Sequence, residues 1–390
     1  MPKSLSSLWL KSIRRMGKAQ QAQGRQLLKS LTPKPPPKTA VKRALKLVTA
    51  PALRPKAAGP ARPVRSLARP PAARAVSGLA GSWQKSWFTM PGASQYGTPR
   101  RMLYWLYLPA GASLAPRPLV VMLHGCQQTA TDFATSTRMN ELAERKGFAV
   151  LYPQQSASAD SHRCWHWYTR ATQEGEGDVR LIASMMAQVQ AKHGLDASRT
   201  YVAGLSAGAG LANILALRYP QQVAALGLHS APVFGVTDSP MSAYRVMQQG
   251  AGPSYVAAAS ALHSSVSPFP GMPAIVIHGD SDSVVRKINM AQVMEQLGAV
   301  NSPAINSSAP VLRTYAARSS GRSPRHAYKT ATWYAGRKAQ LVSCEIRSLG
   351  HAWSGGDASV EFSAPEGPDA SLLMWTFFAR HRRVPLTGQA

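Results

Sequence analysis

Gly204-Leu205-Ser206-Ala207-Gly208 follows the apolar run Tyr201-Val202-Ala203 and opens a small-residue, helix-compatible segment from Ala207 to Tyr219. A serine between two glycines, where a strand turns sharply into a helix, reads as a nucleophile elbow. The glycines matter because neighbouring backbone must approach closely there, and a side chain at either position would crowd the turn. Alone, the five-residue pattern is weak. It gains weight only if a base, an acid and an oxyanion site occur in the right order along the chain.

Upstream, Pro118-Leu119-Val120-Val121-Met122-Leu123 is a buried-strand run ending in His124-Gly125-Cys126, where an α/β-hydrolase places one oxyanion N–H. Ala207, just after the serine, would supply the second. Downstream, Ala274-Ile275-Val276-Ile277-His278-Gly279 runs into Asp280-Ser281-Asp282, and the strand from Leu341 to Ile346 leads to Gly350-His351-Ala352-Trp353. The order Ser, Asp, His is that of the α/β-hydrolases. In this reading Ser206 is the nucleophile and His351 its base. Asp282 fixes the imidazole, and the N–H groups of Cys126 and Ala207 receive the oxyanion. Asp282 is preferred to Asp280 because it lies deeper in the loop; the alternative has Asp280 as the acid and Asp282 capping the next helix. His124 and His278 read as structural. Trp165, Trp167 and Trp353 are candidates for an acyl or aromatic subsite, against ordinary packing. Glu176 and Asp178 read as a loop-ordering pair that caps the next helix.

Further strands read at Leu103–Leu108, Phe148–Tyr152 and Ala224–Leu228, and helices over 138–146, 178–193 and 371–381. Alternation of this kind implies an α/β-hydrolase domain over residues 83–385, with a mostly parallel central sheet and helices on both faces. No metal-binding pattern occurs, and the chemistry requires no cofactor or metal. No apolar run reaches the length of a membrane span. Three cysteines, Cys126, Cys164 and Cys344, are too few for a disulfide scaffold; a Cys126–Cys164 pair and three reduced thiols both remain open.

The net charge of +28 is very uneven: residues 1–77 hold 9 Lys and 9 Arg with no Asp or Glu, and the first acid in the chain is Asp132. Residues 1–82 read as a basic N-terminal segment, with a modestly amphipathic helix over 4–31 followed by a Pro/Ala/Lys/Arg linker without a packed core. Three readings of residues 1–77 follow: a solvated linker, a segment that binds an anionic surface or a coated polymer granule, or one that recruits a protein. No nucleic-acid-reading motif is present. Lys11 cuts the first apolar stretch, Leu8-Trp9-Leu10, too short for a signal peptide, which favours a cytoplasmic protein, granule-associated in the second reading.

Taken together, His124-Gly125-Cys126-Gln127-Gln128, Arg163-Cys164-Trp165, Gly204–Gly208, His278-Gly279-Asp280-Ser281-Asp282 and Gly350-His351-Ala352-Trp353 resemble the polyhydroxybutyrate (PHB) depolymerase family of esterases, which includes feruloyl and acetylxylan esterases. The resemblance spans roughly residues 85–380. It implies a serine carboxylesterase acting on short-chain poly- or oligo-hydroxyalkanoate esters, with Asp282 as the acid and Cys126 at the oxyanion. It also implies an extracellular location, against the missing signal peptide. A feruloyl or acetylxylan esterase is the rival within the family. A granule- or surface-binding protein with a vestigial hydrolase domain is the rival outside it.

Overall fold

The computed structural model describes residues 78–90, 100–265, 269–301, 305, 309–319 and 325–383. The predicted helix over 4–31 and the linker over 32–77 lie outside the described residues. Ten strands form one sheet: β1 (Ser82–Thr89), β2 (Arg101–Leu108), β3 (Leu119–Leu123), β4 (Ala149–Gln154), β5 (Thr200–Leu205), β6 (Ala225–His229), β7 (Ala274–Gly279), β8 (Val311–Tyr315), β9 (Tyr328–Ala335) and β10 (Lys338–Ile346). Their order is β1-β2-β4-β3-β5-β6-β7-β10-β9-β8. The six inner strands, β4 to β10 in that order, are parallel, with antiparallel pairs closing both edges.

The inner strands β3, β5, β6 and β7 are buried along their whole length, as a sheet covered on both faces requires. Their side chains alternate between two cores. Val121, Leu123, Val202 and Leu226 face one core with α4 (Asp178–His193), α5 (Ala207–Arg218), α6 (Pro240–Gln249) and α8 (Ile288–Asn301). Val120, Met122, Tyr201 and Ala203 face the other with α1 (Ala130–Thr137), α2 (Met139–Lys146) and α9 (Ala370–Phe378). Two further helices are the short α3 (Arg170–Gln173) and α7 (Ser254–Ser265). No helix among the described residues is long and apolar enough to cross a membrane.

Small residues let α5 lie against the sheet. A Cβ on Gly204 would come within 2.4 Å of the Gly208 backbone, and one on Gly208 within 2.2 Å of the Leu123 carbonyl oxygen. Both glycines of the opening motif are therefore close-approach positions. The serine between them carries the backbone strain: Ser206 has φ 57° and ψ −122°, a region that L-residues rarely occupy and that costs of order 1–3 kcal/mol. Burial of α5 from Ala207 to Leu217 and the bond from Ser206 N–H to the His229 carbonyl, 3.0 Å, hold it there.

Candidate active site

Four loops leave the same end of the sheet, the carboxyl ends of the parallel strands, where open α/β sheets place their ligands. The turn after β3 carries Cys126, that after β5 carries Ser206, that after β7 carries Asp282, and that after β10 carries His351. They are cross-linked by backbone bonds: Asp280 N–H to the Ile346 carbonyl, 3.0 Å, and Ser281 N–H to the Leu349 carbonyl, 3.1 Å. A Cβ on Gly279 would sit 2.1 Å from the Leu349 carbonyl oxygen, so a glycine is required where the β7 and β10 loops touch.

His351 Nδ1 lies 2.8 Å from Asp282 Oδ2. The other carboxylate oxygen, Oδ1, accepts the N–H groups of Val284 and Val285, each at 2.9 Å. Burial alone would raise the Asp282 pKa. The charge of His351 and its hydrogen bond, then His278, then the Val285 N–H outweigh that, and the carboxyl is held well below the usual range. Asp282 is thus the carboxylate that meets His351, and its other oxygen ties down the loop that follows rather than capping α8, which begins at Ile288. Asp280 is exposed and bonds the Ser281 hydroxyl and the Ser348 N–H instead. His278 Nε2–H donates to the Val285 carbonyl, 2.8 Å, and so braces the acid loop from behind. His124 donates from Nδ1 to the Gly125 carbonyl, 2.8 Å, and accepts the Gln155 N–H at Nε2, 3.1 Å. Burial pushes its pKa down to about 4, so it is a neutral brace.

Ser206, Ala207, Cys126 and His351 line one cavity of about 670 Å³, together with Trp165, Trp167, Tyr168, Met241, Tyr244, Met247, Val284 and Phe362. Asp160, Ser161 and His162 give it one polar corner. Asp282 stands behind His351 and does not reach the wall. Trp165 and Trp167 lie on the wall, and both rings are buried behind it. Trp353 does not line it. It is fully buried, packs edge-on against Phe133 at 5.4 Å, stacks on His229, and donates from Nε1 to Ser371 Oγ, 3.2 Å. Its place beside His351 in sequence suggested a subsite, but it turns into the core on the other side of the sheet. Asp178 is likewise no cap: it is the first residue of α4, and its carboxylate binds Arg100 and Gln155.

Ala207 is the first residue of α5, so its N–H has no partner within the helix. Cys126 occupies a turn closed by the Gln128 N–H on the Gly125 carbonyl, 3.4 Å. A disulfide joins Cys126 to Cys164, a choice that sequence spacing left open. It is one of three ties between this turn and the wall carrying Trp165; the others are Gln127 N–H to the His162 carbonyl, 2.6 Å, and Trp165 Nε1–H to the His124 carbonyl, 2.9 Å. With its ends 38 positions apart in sequence, the bridge is worth about 4 kcal/mol of loop entropy in the chain-entropy account. Dithiothreitol should therefore lower the Tm of the wild type by several degrees and leave that of Cys164→Ser unchanged. A wild-type Tm indifferent to reductant would show that the bridge contributes nothing. Cys344 is a buried free thiol.

Sequence reading missed the wall supplied by α6, with Met241 and Tyr244, and gave no role to Gln128, Asp160 or Phe362. The signal for α6 was the Ser239-Pro240 start, where Ser239 caps the helix in a reciprocal pair with Ser242.

The sheet order, the helices on both faces and the sharp turn at Ser206 define an α/β-hydrolase. Residues 102–314, more than half of the chain, match the family model described as Esterase PHB depolymerase. The chain belongs to that family of esterases, which are carboxylic ester hydrolases. Poly(3-hydroxyalkanoate) depolymerase C of Paucimonas lemoignei is 32% identical over 213 residues, 54% of this chain and 51% of that protein. Feruloyl esterase B of Neurospora crassa is 32% identical over 151 residues, 38% of this chain and 48% of the enzyme. The chain thus spans about half the length of these relatives. Among solved structures, the acetyl xylan esterase from Aspergillus awamori superposes with a TM-score of 0.54 at 25% identity, covering 69% of this chain and 94% of that one.

Proposed function

We propose that this protein is a serine carboxylesterase that hydrolyses short-chain poly- or oligo-hydroxyalkanoate esters through an acyl-enzyme. The observation that carries the reading is the His351–Asp282 pair, 2.8 Å apart, on the same cavity as a serine held in a strained turn. Ser206 Oγ attacks the ester carbonyl carbon while His351 Nε2 takes its proton. Asp282, accepting from Nδ1–H, keeps Nε2 free to act as the base and stabilises the imidazolium. The N–H groups of Cys126 and Ala207 receive the carbonyl oxygen as it becomes an oxyanion; losing such a donor costs about 3–4 kcal/mol in the transition state. Collapse expels the alcohol, protonated by His351. Water, activated by the same imidazole, then releases the acid.

The cavity supports a chain of small branched units. Its aromatic and methionine walls suit the methyl branches of hydroxybutyrate, and the Asp160–His162 corner suits a terminal hydroxyl. The likeness to acetyl xylan and feruloyl esterases supports a second reading, a plant-polysaccharide deacylase. A panel separates them: hydroxybutyrate trimer should be cleaved with kcat/KM at least tenfold above acetylated xylan and methyl ferulate. The reverse order would move the assignment to the second reading. The His351–Asp282 pair, kept at 2.8 Å, supports an active hydrolase over a vestigial one. The 18 positive charges of residues 1–77 support attachment to an anionic or granule surface. The Cys126–Cys164 disulfide supports an oxidising compartment over the cytoplasm.

A further inference from the structure

Four consecutive N–H groups, those of Gly125, Cys126, Gln127 and Gln128, stand at the mouth of the turn after β3. Gly125 N–H donates to the side-chain Oε1 of Gln128, 2.9 Å. Gln127 N–H goes to the His162 carbonyl and Gln128 N–H to the Gly125 carbonyl. Among the described residues only the Cys126 N–H is left without a partner, and Cys126 lines the cavity with Ser206. Gln128 therefore closes this turn twice, once through its backbone and once through its carboxamide. Gly125 is close to the nucleophile: a Cβ there would lie 3.2 Å from Gln128 Oε1 and 3.7 Å from Ser206 Cβ.

The carboxamide has one orientation only. A backbone N–H must be met by an acceptor, so the oxygen faces Gly125 and the nitrogen faces away. That nitrogen is buried and has no partner among the described residues, and the side chain is 2% exposed. Gln127 is held in the left-handed region, φ 66°, which non-glycine residues seldom occupy. A strained turn with an unpaired amide nitrogen is poor packing, but of its four N–H groups it leaves only that of Cys126, a residue lining the cavity, without a partner.

We infer that Gln128 is a positioning residue for the oxyanion site: by engaging the Gly125 N–H it fixes the Gly125–Cys126 peptide so that the Cys126 N–H alone points to the reacting carbonyl. The inference rests on the esterase reading above. It concerns a residue on the cavity wall whose side-chain hydrogen bond goes to the Gly125 N–H, so that it acts through its neighbour's peptide.

Two variants test it. Gln128→Met keeps the length of the side chain, removes the acceptor and also removes the unpaired nitrogen. Its Tm should stay within about 3 °C of wild type because the two losses oppose one another. Its kcat on p-nitrophenyl butyrate should fall roughly 10- to 100-fold with KM changed less than threefold. Its affinity for a trifluoromethyl ketone, which forms an oxyanion on Ser206, should fall by the same factor as kcat/KM. Gln128→Glu places a carboxylate beside the oxyanion; protonated, it is nearly isosteric with Gln. Its activity relative to wild type should therefore rise as pH is lowered, a signature that a packing role would not produce. Gln128→Met turning over within threefold of wild type would overturn the inference. So would a loss of kcat without weaker ketone binding. If Gln128→Met does not fold, the pH ratio of Gln128→Glu decides, and a flat ratio overturns it. Failure of the esterase reading looks different: wild type would then hydrolyse no ester, whatever residue 128 is.

Discussion

Ser206→Ala should abolish ester hydrolysis while leaving the fold intact. The hydroxyl is the only group on the cavity wall that is placed in a strained strand-to-helix turn beside the His351–Asp282 pair. Without it the first step of the proposed mechanism has no nucleophile, and the expected loss in kcat is about 10⁵- to 10⁶-fold. Alanine keeps a Cβ, so it inherits the unfavourable φ of 57° and neither relieves nor adds strain. Melting temperature should move little. A p-nitrophenyl butyrate assay with a thermal melt on the same preparation checks both halves. Turnover above a few per cent of wild type would show that another residue attacks.

Asp282→Asn should cost about 10⁴-fold in kcat. The substituted amide can still accept the Val284 and Val285 N–H groups through its oxygen, so the acid loop keeps its shape. Its nitrogen then faces His351 Nδ1 and donates to it. The imidazole is driven to the tautomer with its proton on Nε2, which cannot take a proton from Ser206. Asp280→Asn, on an exposed carboxylate bonded elsewhere, should stay within threefold of wild type. The variant also has a pH signature. The folded-state pKa of Asp282 is lowered, so its ionisation adds stability that is present above the unfolded carboxylate value, near pH 4, and is lost as pH falls below it. The Tm gap between wild type and Asp282→Asn should therefore be widest at pH 7 and narrow progressively as pH falls below about 4. A gap constant with pH would mean that Asp282 is not held ionised by its neighbours.

The parallel core and the loops that carry the candidate site were legible in sequence because both are written locally. Buried strands such as Leu119–Leu123 and Ala274–Gly279 are continuous apolar runs, and each ends at the loop that bears a site residue. The elbow glycines announce a backbone contact, and Asp282 could be favoured over Asp280 by its depth in the loop. What was not legible depends on long-range packing. Trp353 follows His351 by two residues, yet the chain reverses there and buries the ring against Phe133, 220 residues earlier in sequence. On the antiparallel edge the outer strand β8 is largely exposed and β9 mostly half-buried, and neither carries clear apolar alternation. α1 has the poor helix formers of Ala130–Thr137, and its clue was the Thr129–Asp132 capping box. The role of Gln128 depends on which N–H groups are already taken, which only coordinates reveal. Pairing of Cys126 with Cys164 needed the two loops to be brought together.

The central claim, that Ser206 is the attacking group, is tested most directly by trapping it. A p-nitrophenyl alkylphosphonate reacts with an activated serine by expelling nitrophenolate and leaving a stable phosphonyl ester on the attacking oxygen. Intact-mass and peptide measurements on the inactivated protein should find one adduct per chain, on the peptide containing Gly204 to Gly208, at Ser206, with none on Ser206→Ala. An adduct on another residue, or ester turnover by a protein that the phosphonate leaves unlabelled, would contradict the account.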